Sequence, residues 1–182
     1  MVRRVAAGVA GPAWKDLHDG QDTNWGDISI LRFTGGLPDG FAPATLAAKD
    51  LQLKSNEDIL LAGFGLTDGV NKTQATQMNK VTVKIMDPNF SDTEMKVGNT
   101  PGKGPCHGDS GGPAYVTATD GTSVLAGITS RADTETDPKG QCIGNTIYTK
   151  IQPYLSWISD ESNKLNNDPQ YGTVIQQPAG EQ

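Results

Sequence analysis

Short apolar stretches alternate with polar, glycine-bearing breaks along most of the chain, and one segment carries a helical period. From Met78 to Met86, Val81, Val83 and Ile85 fall on one side and Thr82 and Lys84 on the other, as in a half-buried strand. Asp27 to Phe33 is rich in branched and aromatic residues and predicts another strand, ended by Gly35-Gly36 and Pro38-Asp39-Gly40. Ile59 to Gly65 is a compact apolar run that closes in glycines and predicts a buried strand. Pro113 to Thr119 and Ser123 to Arg131 read as two strands joined at Asp120-Gly121, a hairpin signal. Weaker patterns predict strands within residues 1–14 and around Met95 to Val97, and a last strand from Cys142 to Ile151. Ile151, Tyr154, Leu155 and Ile158 then share one helical face, predicting an amphipathic helix to about Leu165. Residues 166–182 read as a loose polar tail. Many short strands with one terminal helix predict an all-β barrel architecture.

A length of 182 residues suits one domain. The 22 glycines and 11 prolines agree with frequent turns. A net charge of −6 argues against nucleic acid or an anionic membrane as partner. No apolar run approaches the length needed to span a bilayer. Two histidines and scattered acids form no recognisable metal-ligand cluster, so no cofactor is expected. The two cysteines, Cys106 and Cys142, taken alone fit free buried thiols as well as a bridge.

The densest chemistry lies in Cys106-His107-Gly108-Asp109-Ser110-Gly111-Gly112-Pro113. Glycines at this density let the backbone turn tightly and bring N–H groups up to a ligand. A serine there sits beside free amide donors, the combination a nucleophile and an oxyanion hole require. A bare Gly-x-Ser-Gly-Gly also fits an ordinary turn between strands; the whole run, with Cys106 four residues before Ser110, is more specific. It resembles the nucleophile loop of the chymotrypsin/trypsin-like serine proteases. The resemblance continues through Asp27-Ile28-Ser29-Ile30-Leu31, which matches the strand headed by the triad aspartate, and Gly127-Ile128-Thr129-Ser130, which matches a substrate-pairing strand. It extends to Ile147-Tyr148-Thr149-Lys150-Ile151 and the terminal helix through Trp157.

The resemblance implies a double β-barrel, with the second barrel complete and only the last strands of the first present. Residues 1–40 would be the remnant of the first barrel, 41–165 the second barrel with its helix, and 166–182 a tail. It implies peptide-bond hydrolysis through an acyl-enzyme, with Ser110 as nucleophile and Asp27 as the acid that orients a histidine. The backbone N–H groups of Gly108 and Ser110 would form the oxyanion hole. Gly104 would lie at the base of the primary specificity pocket, with Ala132 on its wall, and Ser130, on the substrate-binding strand, would lie beside the triad. Gly104 carries no carboxylate, so an uncharged substrate side chain is expected. Arg131-Ala132 stands where the family has Trp-Gly, which alters one pocket wall. The resemblance also pairs Cys106 with Cys142, and a bridge across this separation contributes roughly 4 kcal/mol in the chain-entropy model. The resemblance implies a protein or peptide substrate, and together with the bridge it implies a secreted or periplasmic location. The first residues make a poor export signal.

Two parts of the family pattern have no counterpart in the sequence. The family's base is a histidine in a Thr-Ala-Ala-His-Cys motif upstream of the triad aspartate, and this sequence has no such motif. His18 reads as a solvated loop residue, and His107, three residues before Ser110, is expected to face the substrate and not to bridge Asp27 and Ser110. The family also pairs the aspartate before its nucleophile with a new apolar N-terminus, and Asp109 has no matching N-terminus here. Asp109 is therefore expected either to stay exposed or to leave the oxyanion loop in an inactive shape. The chain reads as an N-terminally truncated endopeptidase that is inactive alone, and strand edges facing the missing half are expected to be open. A pseudoprotease binding module and one half of a split protease are the alternatives.

Overall fold

The computed structural model describes residues 3–14, 23–100 and 102–167. Among the described residues, eight strands precede one α-helix. β1 (Val5–Ala10) and β2 (Ser29–Phe33) form an antiparallel pair, with Gly8 opposite Leu31 and Ala10 opposite Ser29. β3 (Asp58–Gly63), β4 (Asn79–Asp87), β5 (Glu94–Val97), β6 (Pro113–Thr117), β7 (Ser123–Ala132) and β8 (Thr146–Lys150) close into a barrel ordered β3-β4-β5-β8-β7-β6. The all-β barrel and the terminal helix agree with the sequence pattern.

Alternation places the barrel core. On β4, Val83 and Ile85 point inward while Thr82 and Lys84 face solvent. They meet Ile59 and Leu61 of β3, Met95 and Val97 of β5, Ala114 and Val116 of β6 and Tyr148 of β8. Each large aliphatic side chain buried this way contributes about 1.5–3 kcal/mol. Closure removes edges, and short residues let the ring close: Leu61 pairs with Ala114, and Gly127 lies directly against the Met95 methyl. The 41–57 connector also joins the barrel, because Leu125 donates its N–H to Thr45 O and accepts from Ala47 N–H.

A second cluster joins the β1–β2 ribbon to the barrel and helix. Ile28, Ile151 and Tyr154 are buried together, flanked by Leu125, Ile128, Leu155, Trp157 and Ile158. A short 3₁₀ turn (Gln152–Tyr154), with Pro153 fixing its first turn, leads into α1 (Leu155–Asn167). Lys164 in the last turn suits the helix dipole.

Three expectations are corrected. The last strand starts at Thr146, not Cys142: Cys142 has φ of +60°, and the carboxylate of Asp137 takes the N–H groups of Gln141 and Cys142, so the segment cannot enter the ladder. Ile151 lies beyond that strand and enters the 3₁₀ turn. The helix runs to Asn167 and so takes in the first two residues of the expected tail, while residues 168–182 lie outside the described residues.

Candidate active site

The loop between β5 and β6 carries the candidate nucleophile. It is built as a tight turn: Asp109 N–H donates to Cys106 O at 3.0 Å, and Gly112 N–H to Asp109 O at 2.8 Å. Gly108 and Gly111 have φ of +94° and +78°, conformations that a side chain disfavours. The loop is fastened to β7, since Gly111 N–H donates to Thr129 O, while Gly112 O accepts from Thr129 N–H and Oγ1. Cys106 is disulfide-bonded to Cys142. Ser110 is exposed at the tip. Among the described residues, the N–H groups of Gly108 and Ser110 donate to no protein acceptor.

Asp109 turns inward and is partly buried. Its Oδ1 accepts the Gly65 N–H at 2.8 Å and its Oδ2 the Cys106 N–H at 2.9 Å. It therefore does not stay exposed as one expectation had it. Two amide donors take up part of its charge. The carboxylate faces a cavity of about 690 Å³, which Tyr148 and Gly104 also line. Burial pushes the Tyr148 phenol well above its ordinary pKa, and the Asp109 charge adds to the rise.

Asp27 stands at the entry to β2, partly buried. Its carbonyl accepts Thr149 Oγ1–H at 2.9 Å and its Oδ2 accepts the Ser130 hydroxyl at 2.8 Å. Ser110, Ser130 and Ala132 line one cavity of about 230 Å³, along with Cys106 and His107. Gly104 does not line this smaller cavity. The Asn99 carboxamide occupies the space where a Cβ on Gly104 would project, and Asn99 Nδ2 donates to Pro105 O at 2.8 Å. His107 is exposed, and its Nε2 lies 2.7 Å from the carbonyl of Gly140, which also lines the smaller cavity. His18 lies outside the described residues.

Three residues escaped the sequence reading. Asn99 fills the place beside Gly104. Asp137 is buried at the wall of the smaller cavity, holding the Gln141 and Cys142 amides at 2.9 and 2.6 Å. Glu94 is buried beside Arg131. A lone amide or acid in a polar loop has no period or motif that marks it. Lys96 stitches the same wall to β5 through Asp133 at 3.0 Å and Glu135 at 3.3 Å. Burial alone would lower its pKa, but hydrogen bonding and charge from Asp133 and Glu135 outweigh this, and the net shift is upward. Among the described residues, no three His, Cys, Asp or Glu side chains converge as metal ligands.

A closed six-stranded barrel with a glycine-rich serine loop and a carboxylate–serine pair at its rim is the frame of a chymotrypsin-type hydrolase. A family model described as Trypsin matches residues 14–158. The chain belongs to the chymotrypsin/trypsin-like serine protease family. It is 30% identical over 172 residues to Kallikrein-8 of Rattus norvegicus, covering 88% of this chain and 62% of that protein. It is 40% identical over 150 residues to Kallikrein 1-related peptidase b22 of Mus musculus, covering 76% and 54%. The solved structure of neuropsin, a serine protease expressed in the limbic system of mouse brain, superposes with a TM-score of 0.69. The identity there is 25%, covering 88% of this chain and 71% of that one. The chain thus spans only part of its curated relatives' length, 62% of the rat protein.

Proposed function

We propose that this chain is the nucleophile-bearing part of a serine endopeptidase whose imidazole base comes from polypeptide outside this sequence. The observation that carries the reading is the shared cavity: exposed Ser110 and Ser130 line it together, and Ser130 holds the Asp27 carboxylate. In the complete site the base removes the Ser110 hydroxyl proton as Oγ attacks the peptide carbonyl. The N–H groups of Gly108 and Ser110 receive the oxyanion. The base then returns the proton to the leaving amine, and water repeats the sequence on the acyl-enzyme. Asp27 orients the base and stabilises its charged form. His107 is a poor candidate for that base, because its Nε2 is held by Gly140 O. The substrate is a protein or peptide, and the family and the disulfide support a secreted or periplasmic setting.

A fluorophosphonate probe tests the reading. The chain alone is expected to label at Ser110 only marginally. A longer chain from the same gene, or the chain with its N-terminal part supplied in trans, is expected to label stoichiometrically, and Ser110→Ala not at all. Full labelling of the chain alone would place the base within it. No labelling of any longer form would favour a binding module over an enzyme.

A further inference from the structure

Glu94, which opens β5, is fully buried at 0% exposure. An ionised carboxylate at that depth is costly unless paired and hydrogen-bonded. The Ser91 hydroxyl, three residues before it, donates to Oε2 at 3.4 Å, and its other partners come from two distant segments. Arg131 of β7 donates Nη1 to Oε1 at 2.7 Å and Nη2 to Oε2 at 3.2 Å, a two-pronged pair. The backbone N–H groups of Asn24 and Trp25 donate to the same two oxygens at 2.9 and 3.3 Å. The Arg131 guanidinium also lies over the Trp25 ring, 3.8 Å from its centroid. The Glu94 carboxylate therefore helps fasten the segment that leads into Asp27 to the barrel, together with Thr93, which donates N–H and Oγ1–H to Asn24 Oδ1, and Thr149, which donates to the Asp27 carbonyl.

A second branch reaches the Asp27 side chain. Arg131 Nη1 donates to Ser130 Oγ at 3.3 Å, and Ser130 Oγ donates to Asp27 Oδ2 at 2.8 Å. A guanidinium has donors only, and a serine hydroxyl has one proton. With Arg131 on its acceptor side, Ser130 must turn that proton to Asp27. The contacts close a ring that runs from Glu94 through Arg131, Ser130 and Asp27 and back along the chain to Trp25.

We propose that Glu94 and Arg131 are positioning residues for Asp27: Glu94 fixes its backbone, and Arg131 fixes the hydroxyl that holds its carboxylate. The proposal rests on Asp27 being the catalytic acid. The Asn24 and Trp25 amides would serve a buried carboxylate in either case; a pair that served only to join β5 and β7 would not need the Ser130 hydroxyl.

A thermal double-mutant cycle on the full chain tests it, using Arg131→Met, Asp27→Ala and the double variant. Asp27→Ala is expected to lower Tm by less in the Arg131→Met background, with a gap of at least about 3 °C. Arg131→Lys, which keeps a donor-only cation, is expected to restore part of that gap. Lys84→Met, which breaks an ion pair with Asp58 elsewhere on the barrel, is expected to add to Asp27→Ala within about 1 °C. Additivity of the Arg131 and Asp27 variants to within about 1 °C would overturn the proposal. If Arg131→Met does not fold, Glu94→Gln replaces it in the cycle under the same criterion. The cycle reads no activity, so it separates the two claims. Coupling without Ser110 labelling in any longer form leaves the positioning ring standing and removes the protease reading. Labelling without coupling does the reverse.

Discussion

The Gly65 N–H donates to Asp109 Oδ1 at 2.8 Å, and a Cβ on Gly65 would strike the same carboxylate. One residue thus supplies a hydrogen bond and the space in which its acceptor sits. A Cβ on Gly63 would likewise strike Asp109 Oδ1, so Gly63 supplies space there too. Neither glycine has a positive φ, so the requirement here is room and not backbone freedom.

Gly65→Ala is therefore expected to push the Asp109 carboxylate away from its amides and to destabilise the chain by about 1–3 kcal/mol. That corresponds to a Tm lower by roughly 2–12 °C for a domain of this size. A thermal melt checks it, and an unchanged Tm would mean that the turn relaxes freely around a new methyl.

Ser110→Ala is expected to leave the melting temperature nearly unchanged, within about 0.5 kcal/mol, because the side chain is exposed. The same variant removes all fluorophosphonate labelling in any form of the protein that labels. A large loss of stability would count against an exposed nucleophile.

Loss of the Cys106–Cys142 bridge, by reduction or by the double alanine variant, is expected to cost about 4 kcal/mol in the chain-entropy account. The urea midpoint should fall and the slope should rise, because the unbridged denatured chain is less compact and exposes more surface. An equal midpoint with and without reductant would show that Asp137 and the ladder bonds of the loop hold that wall unaided.

Stability is expected to decline in alkali. The Tyr148 phenol is raised in the folded chain, so its contribution is whole below the unfolded phenol value of 10.0 and is lost as pH climbs above it. Lys96 acts in the same direction above its ordinary 10.5. Lys150 works oppositely: burial lowers its pKa despite the acids Asp92, Asp87 and Glu94, so stability gains as pH rises from its folded value toward 10.5. Tm measured from pH 8 to 11 should therefore fall less steeply in Tyr148→Phe than in the parent chain.

Much of the frame was legible because strands declare themselves by a period of two. Val81, Val83 and Ile85 alternated in the sequence, and Val83 and Ile85 are buried in the barrel. The serine loop was legible because glycine positions record backbone shape. The bond between Asp27 and Ser130 spans a separation of 103 residues, and without the family resemblance no local pattern would have joined them. Glu94 was illegible for a related reason. A single glutamate beside Met95 and Lys96 reads as solvated until the chain brings Arg131 and the Trp25 amide to it. The start of β8 was misread because a disulfide to a residue 36 positions away and a carboxylate five residues back override the strand pattern at Cys142.

The barrel is a closed ring, whereas the β1–β2 ribbon, among the described residues, is a two-membered stack with no third strand. Val5, Leu31 and Phe33 are exposed on it, with Leu31 at 59%. A ring has nothing to propagate, but a ribbon extended head to tail by copies of itself has no point of closure. Growth of that kind shows itself as turbidity that climbs with protein concentration. It would come from the ribbon alone, while the barrel stayed folded inside each copy. Charged residues in place of Leu31 and Phe33 would then change the colloidal behaviour of the chain and leave its fold untouched.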